Sequence, residues 1–177
     1  NENVAVTSTA TELNLLDGKD ATFLAVPGKI GGTDFPNSIL IGHATTGTLN
    51  DAQRNTGVGI QALDALTSGD RNVAVGYSSG TAISSGQFNT SIGDIAGTQI
   101  STGSQNTNIG FSAGSGGNTS HNTNLGSSAG SGLNGNATGN VMIGSGTTGD
   151  DASGDRQLKI EGYDGSTRTS WIKGDSS

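Results

Sequence analysis

A glycine recurs at an almost constant interval along the middle of this chain, and each copy closes a short strand-like phrase. The intervals are 17, 17, 17, 17, 16 and 18 residues, and an aliphatic residue precedes every copy: Gly42, Gly59, Gly76, Gly93, Gly110, Gly126 and Gly144. An asparagine stands four positions before each of the last six glycines. A fixed period of this kind is the signature of stacked supersecondary units. We therefore expect a rod of coils rather than a globule around one core.

The composition would suggest disorder if the repeat were absent. Only 30% of the 177 residues are apolar and 4% aromatic, while 31 are glycine. Disorder needs no register, so a period this strict predicts an ordered chain. The net charge of −7, with only eight Lys and Arg residues, predicts no basic surface for nucleic acid, and no apolar stretch is long enough to span a bilayer. The absence of cysteine removes disulfides and thiolate metal sites.

Three regions follow from the pattern: an N-terminal cap over residues 1–37, the repeats over 38–146, and a C-terminal segment over 147–177. In the first region, a capping box at Thr9 and Glu12 predicts a short helix that stops at Gly18, and residues 23–26 predict a strand. The last region predicts a linker and then a β-hairpin that carries Trp171. Because the chain begins with Asn1 rather than Met, we expect a fragment or a processed product.

Each repeat predicts one coil of a narrow solenoid. In the phrase from Asn72 to Gly76, strand alternation places Val73 and Val75 on one face and Asn72 and Ala74 on the other. We expect two short strands and two turns per coil, with the face that carries the threonines and aliphatic residues pointing inward. Identical asparagines stacked coil on coil predict amide ladders. The fold class is therefore all-β, a parallel β-solenoid or β-roll of about seven coils.

Two features of the repeat qualify this prediction. The changed spacers around Gly116 and Gly135 predict a local departure from strict register. A coil that buries only two or three small apolar groups gains about 0.8 kcal/mol per CH₂, which is less than the backbone entropy lost over the coil. We therefore expect other copies of the chain to supply the missing burial, in a homotrimer.

Several catalytic patterns match, but the repeat itself accounts for them. Three phrases satisfy Gly-x-Ser-x-Gly, around Ser78, Ser112 and Ser128, and His121 is the only histidine that follows the first of them. A nucleophile needs a strained strand-to-helix turn and acid and base partners, which three copies at the repeat spacing cannot all have. The Gly-x-Gly-x-x-Gly matches lack a helix to bind a phosphate. We expect no enzyme and assign no catalytic residue.

The candidate residues for metal binding and acid–base catalysis are also better explained without a functional site. His43 and His121 lie far apart in the sequence, and the carboxylates at Asp150, Asp151 and Asp155 could offer oxygens to Ca²⁺ but are more typical of a solvated acidic run. A polysaccharide-degrading site would need two carboxylates at close range, and Asp64 and Asp70 are expected near successive turns in adjoining coils. Surface charge at loop tips explains both aspartates better. No cofactor or metal ligand is assigned.

The phrases from Asn72 to Tyr77 and from Asn106 to Phe111 resemble the repeats of tailed-bacteriophage fibre proteins. They are also similar, more loosely, to the head repeats of trimeric autotransporter adhesins. Residues 9–18 resemble a phrase common in phage tail fibres, and residues 171–177 are similar to a segment that precedes an intramolecular chaperone domain. The resemblance implies a homotrimeric, extracellular virion fibre that attaches to a host-surface glycan or protein and contacts other virion proteins. Ser38 and His43 depart from the pattern in the first turn.

These observations favour a stiff fibre spacer that presents host-attachment surfaces. The exposed-aromatic candidates for contact are Tyr77, Phe88, Phe111 and Trp171. The alternative is a structural filament or virion decoration protein without a receptor. An ice-binding solenoid is a third reading, prompted by the threonine column, and the expected inward orientation of those threonines counts against it.

Overall fold

The computed structural model describes residues 28–43, 45–135 and 137–174, and this part of the chain contains ten strands and no helix. The predicted N-terminal helix and the strand at residues 23–26 lie outside these residues. The strands are β1 (Gly28–Ile30), β2 (Ile39–Ile41), β3 (Thr56–Val58), β4 (Val73–Val75), β5 (Thr90–Ile92), β6 (Thr107–Ile109), β7 (Thr123–Leu125), β8 (Val141–Ile143), β9 (Leu158–Tyr163) and β10 (Arg168–Gly174).

All ten strands form one sheet in chain order. Every neighbour pair from β2 to β9 is parallel, whereas the pairs β1–β2 and β9–β10 are antiparallel hairpins. Parallel neighbours that follow each other directly in the chain require one winding of the backbone between them. The predicted all-β fold, a parallel β-solenoid of about seven turns, is confirmed.

The register of the solenoid is continuous. Thr56 lies beside Val73, and Val73 beside Thr90, as the 17-residue period requires. The register also holds across the 16- and 18-residue intervals, where Thr123 pairs with Thr107 on one side and Val141 on the other. The expected departure from register is therefore wrong for the strands, because the turns absorb the missing and extra residues.

The expectation of two strands per coil is also wrong. Each coil from β2 to β8 contains one strand of three residues, and the remainder consists of turns and bends. In the coil of β4, Gly76, Ser78 and Gly80 have φ values of 131°, 51° and 57°, which interrupt any extended run. Backbone hydrogen bonds between coils still hold this second half together, as from Gly80 N to Ala96 O at 2.8 Å.

The asparagine column forms the predicted ladder inside the coils. Asn89 donates its backbone N–H and its side-chain amide to Asn72 Oδ1, at 3.0 and 3.1 Å. The same amide donates to the carbonyl of Gly103 at 2.9 Å, and thereby ties the start of the coil to its end. Asn89 Oδ1 in turn accepts two hydrogen bonds from Asn106, both at 3.0 Å. The side-chain amide of Asn89 is thus bonded to its own coil, to the preceding coil and to the following coil.

The orientation expected for the strand faces is wrong. The middle residue of every strand from β2 to β8 is buried with the asparagines, whereas the threonine and aliphatic positions are half-buried or exposed. The physical reason is the ladder, because amides that bond from coil to coil must lie inside the winding. Alternation then places the middle residue inside as well and the aliphatic residues outside.

The interior also contains an aliphatic column that the sequence analysis missed, because it treated this part of each repeat as a spacer of Ser, Thr and Gly. Leu66, Ile83 and Ile100 stand 17 residues apart and are fully buried, and Leu133 occupies the interior near the other end. Leu49 packs against the same cluster. The coils that carry this column therefore bury more apolar surface than expected.

Residue sizes are matched across the interior. A Cβ added at Gly114 would lie 1.9 Å from Asn108 Oδ1, and a Cβ at Gly130 would lie 2.0 Å from Asn124 Oδ1. The glycine at this position therefore makes room for the polar side chain in the strand. The coil of β3 reverses the arrangement, because Leu63 occupies this position and the middle strand residue is Gly57.

Replacing one rung of the ladder should destabilise the solenoid strongly. Asn89→Ala leaves the Gly103 carbonyl and the N–H groups of Asn106 without their partner in a buried environment. At about 1–3 kcal/mol for each buried unsatisfied group, we expect the free energy of unfolding to fall by about 3–5 kcal/mol in urea denaturation. Asn50→Ala, at an exposed position, is the control and should change stability by less than about 0.5 kcal/mol. Equal effects of the two substitutions would contradict the ladder's role.

Candidate assembly face

The outward surface of the sheet is apolar although it is exposed. It is built from the first and third residues of the strands from β2 to β8, which are aliphatic or threonine throughout. The third residues of β2 to β5 and of β7 are 36–44% exposed: Ile41, Val58, Val75, Ile92 and Leu125. We call this surface the outer face. Because the ladder occupies the interior, these aliphatic side chains have no place inside the coil.

The outer face continues through both terminal hairpins. In β1, Ile30 pairs with Ile39 and is 80% exposed. In β9, Leu158 and Ile160 follow the column of β8, and Ile172 of β10 lies opposite Ile160. No charged side chain occupies these positions in any of the ten described strands. The result is an uncharged stripe along the whole length of the described solenoid.

One border of the outer face carries further exposed apolar side chains. The residue after the periodic glycine is Ile60, Tyr77 or Phe111 in three of the coils, and these are 60%, 52% and 56% exposed. Two of the sequence-predicted aromatic candidates, Tyr77 and Phe111, therefore lie on this border, with Asp94 at the same position of the coil between them. The third, Phe88, lies before its strand, on the opposite border.

The fourth aromatic candidate, Trp171, stands at the C-terminal end of the outer face. The pairing of β9 and β10 is irregular between Ser170 and Ile172, so Trp171 lies at a β-bulge. Its indole ring covers Gly162, where an added Cβ would lie 2.4 Å from the ring. The indole is 70% exposed and borders a shallow groove of about 290 Å³ with Thr169 and Tyr163. Bulges of this kind redirect side chains.

The serines of the three Gly-x-Ser-x-Gly phrases lie in turns of the solenoid, with no helix beside them in the described part of the chain. Ser78 Oγ donates to Gln61 Oε1 at 2.9 Å, and Ser112 Oγ bonds with Ser115 Oγ at 2.9 Å. The geometry does not bring these serines to a histidine: His121 Nδ1 lies 3.4 Å from Thr138 Oγ1. That the chain is not an enzyme stays a prediction.

The carboxylates considered for acid–base chemistry are held by separate partners. Asp64 accepts a hydrogen bond from Thr45 Oγ1 at 2.5 Å and lies 3.8 Å from His43 Nδ1. Asp70 accepts the backbone N–H of Gln53 at 2.7 Å. Each aspartate therefore fixes a local turn between adjoining coils.

The carboxylates of the acidic run in the C-terminal region are likewise held by separate partners. Asp151 accepts from the backbone and hydroxyl of Ser153, and Asp155 accepts from the backbone of Thr138. Asp150 pairs with Lys159 at 3.2 Å and with Lys173. Within the described ranges, no three His, Cys, Asp or Glu side chains converge on a position for a metal ion.

An ion pair closes the interior at the C-terminal end of the solenoid. Lys159 and Glu161 point inward from β9, and Lys159 Nζ lies 2.9 Å from Glu161 Oε1. Burial opposes ionisation of Glu161, but the hydrogen bonds from Lys159 and Ser170 outweigh it and lower its pKa. The hydrogen bond to Glu161 raises the pKa of Lys159. Both charges are thereby favoured where the apolar interior ends.

Comparisons with known proteins return no match: no protein-family model, no curated protein and no solved structure resembles the chain significantly. None of the described residues belongs to a helix capable of spanning a bilayer.

Acid should weaken the C-terminal coil through Glu161. Because its pKa is lowered on folding from the usual 4.5, its contribution to stability is present above that value and is lost as the pH falls through the folded-state pKa. We expect Glu161→Gln to lower stability at pH 7 but to differ less from the wild type near pH 3 in urea denaturation. Asp94→Asn, at an exposed position, is the control. A difference that does not change with pH would contradict this assignment.

Proposed function

We propose that this chain is a non-enzymatic segment of a tailed-bacteriophage fibre. Three copies pack their outer faces about a common axis, and the resulting rod acts as a stiff extracellular spacer on the virion. Surfaces that remain on the outside present contacts to a host-cell glycan or protein. The single observation that carries the proposal is the uncharged aliphatic stripe of the outer face.

The stripe supports assembly because it has no function in the isolated coil. The ladder and the buried aliphatic column already fill the interior. An exposed apolar patch of this length on an otherwise polar chain marks an interaction surface. Its regular spacing along the rod suits a partner with the same period, and a second copy of this chain has that period.

The area of the outer face indicates which neighbouring residues belong to the proposed interface between chains. Ten strands about 4.8 Å apart and three residues wide at about 3.3 Å per residue offer roughly 400 Å². A stable interface buries about 800 Å² on each partner. The border column with Ile60, Tyr77 and Phe111 would supply much of the difference, since these side chains adjoin the face and are exposed.

A filament or virion decoration protein is the second candidate function. The observation that favours it is the last strand, β10, in which all seven residues are exposed and which ends the sheet. Such an edge presents unpaired backbone groups to which another strand can add. End-to-end joining of copies through this edge would build a filament without a receptor.

Charges placed on the outer face should dissociate the assembly. We expect the wild-type chain to have the mass of a trimer by light scattering or sedimentation equilibrium. Val75→Lys combined with Ile92→Lys places two ammonium groups in the interface, where unpaired buried charge is strongly unfavourable, and should yield monomers that keep their β-sheet circular dichroism.

The control for this experiment adds the same two charges elsewhere. Ser85→Lys combined with Thr102→Lys alters exposed turn positions in adjoining coils and should leave the trimer intact. A wild type that is monomeric at all concentrations would refute the trimer, and so would a Val75/Ile92 variant that keeps the full mass. Concentration-dependent growth beyond three chains would favour the filament instead.

A further inference from the structure

The residue immediately before each rung of the ladder has a left-handed backbone conformation in every coil. The φ values range from 52° to 70° along this column: Asn37, Arg54, Arg71, Phe88, Gln105, His121, Gly139 and Arg156. Glycine and asparagine are the residues that this conformation favours. They occur only at Asn37 and Gly139.

Five consecutive coils between those two carry a large side chain instead. Arg54, Arg71, Phe88, Gln105 and His121 are all exposed, and each ends in a planar group. We call these five residues the planar ridge. A residue other than glycine or asparagine is strained in this conformation. None of the five side chains is buried, so packing inside the coil does not explain their size.

Local contacts orient part of the ridge. The guanidinium of Arg71 lies 5.0 Å from the centre of the Phe88 ring and 4.0 Å from Asp70. Phe88 is nevertheless 47% exposed, so much of its ring surface remains available. Arg54 and Arg71 are the only basic residues, Lys or Arg, between positions 38 and 146. The repeat region therefore concentrates its cationic groups on this one border.

From this arrangement, we propose that the planar ridge binds an extended, uncharged polysaccharide that runs parallel to the solenoid axis. The apolar C–H face of a sugar ring packs on Phe88, in the way that aromatic rings accept apolar surface. The guanidinium, amide and imidazole groups donate to sugar hydroxyls, and Asp70 accepts from them. This inference rests on the proposed attachment function and names the class of ligand.

The charge pattern selects an uncharged ligand over an acidic one. The carboxylates of Asp51 and Asp70 stand beside the ridge: Asp51 accepts from Gln53 Nε2 at 2.8 Å, and Asp70 lies 4.0 Å from Arg71. The chain as a whole has a net charge of −7. These two carboxylates offset the charges of Arg54 and Arg71, so the ridge has no net positive charge to attract a polymer of uronic acids, which the net charge of the chain would repel.

The spacing of the ridge suits a linear polymer. Successive coils are about 4.8 Å apart, so the ridge offers one planar group per coil along a straight line. A compact ligand would contact one or two of these groups, whereas a chain can contact all five. Several weak contacts in a row then add to a useful affinity, and three ridges in a trimer multiply it.

The test combines Arg71→Asn with Phe88→Asn in the full chain. Asparagine tolerates the left-handed conformation, so the double variant should fold with unchanged stability and keep the trimer by light scattering. The probes are soluble dextran, mannan and hydroxyethyl cellulose, with alginate as the carboxylated polymer, in affinity electrophoresis. We expect the wild type to bind at least one uncharged polymer, and the double variant to bind it at least about tenfold more weakly, a difference of about 1.4 kcal/mol.

The matched control is Ile95→Asn. Ile95 has a φ of 51° and lies two residues after a periodic glycine, on the other border of the strand. The Ile95→Asn substitution should leave polysaccharide binding unchanged.

Each other outcome overturns the inference. Absence of binding to every uncharged polymer by an intact trimer refutes the ridge but leaves the spacer function standing. Binding of alginate alone refutes the uncharged ligand. Loss of the trimer in the Arg71/Phe88 variant would identify the ridge as a subunit contact.

Discussion

The structure depends on one interaction, the buried amide ladder from Asn55 to Asn140. Each rung joins neighbouring coils, and its side-chain amide also closes its own winding, as in the bonds of Asn89 to Asn72 and Gly103. At the N-terminal end of the ladder, Ser38 Oγ accepts a hydrogen bond from the backbone N–H of Asn55. At the C-terminal end, Asn140 Oδ1 accepts one from the backbone N–H of Gln157. Polar groups buried in this way are stable only when they are fully bonded, which explains why the register is so strictly kept.

The ladder also decides what the rest of the molecule can present. With the asparagines inside, the middle residue of each strand turns inward and the aliphatic residues turn outward. The apolar outer face is therefore a consequence of satisfying amides, and it is the basis of the proposed assembly. The planar ridge arises from the same constraint, because the backbone must adopt a left-handed conformation immediately before each rung.

Much of this could be predicted from the repeat itself. The 17-residue period predicted parallel coils, and the identity of Asn72, Asn89 and Asn106 predicted the ladder. The inward orientation of the threonine and aliphatic face was predicted wrongly, because alternation assigns two faces without saying which is inside. The column of Leu66, Ile83 and Ile100 was missed, although its 17-residue spacing is visible in the sequence, because the serines and glycines around it resemble a spacer. The assembly state and the ligand stay proposals.

The sequence alone therefore determined the period, the strand phrases and the chemical identity of each column, since these are properties of spacing and residue type. Only the tertiary structure decided which columns are buried, because burial depends on how amides and carbonyls of different coils meet in space. It likewise decided that the second half of each coil is a series of turns, where Ser78 and Gly80 adopt positive φ values. Both the burial of the columns and the turns of the second half depend on hydrogen bonds between residues 14 and 17 positions apart, which no local propensity encodes.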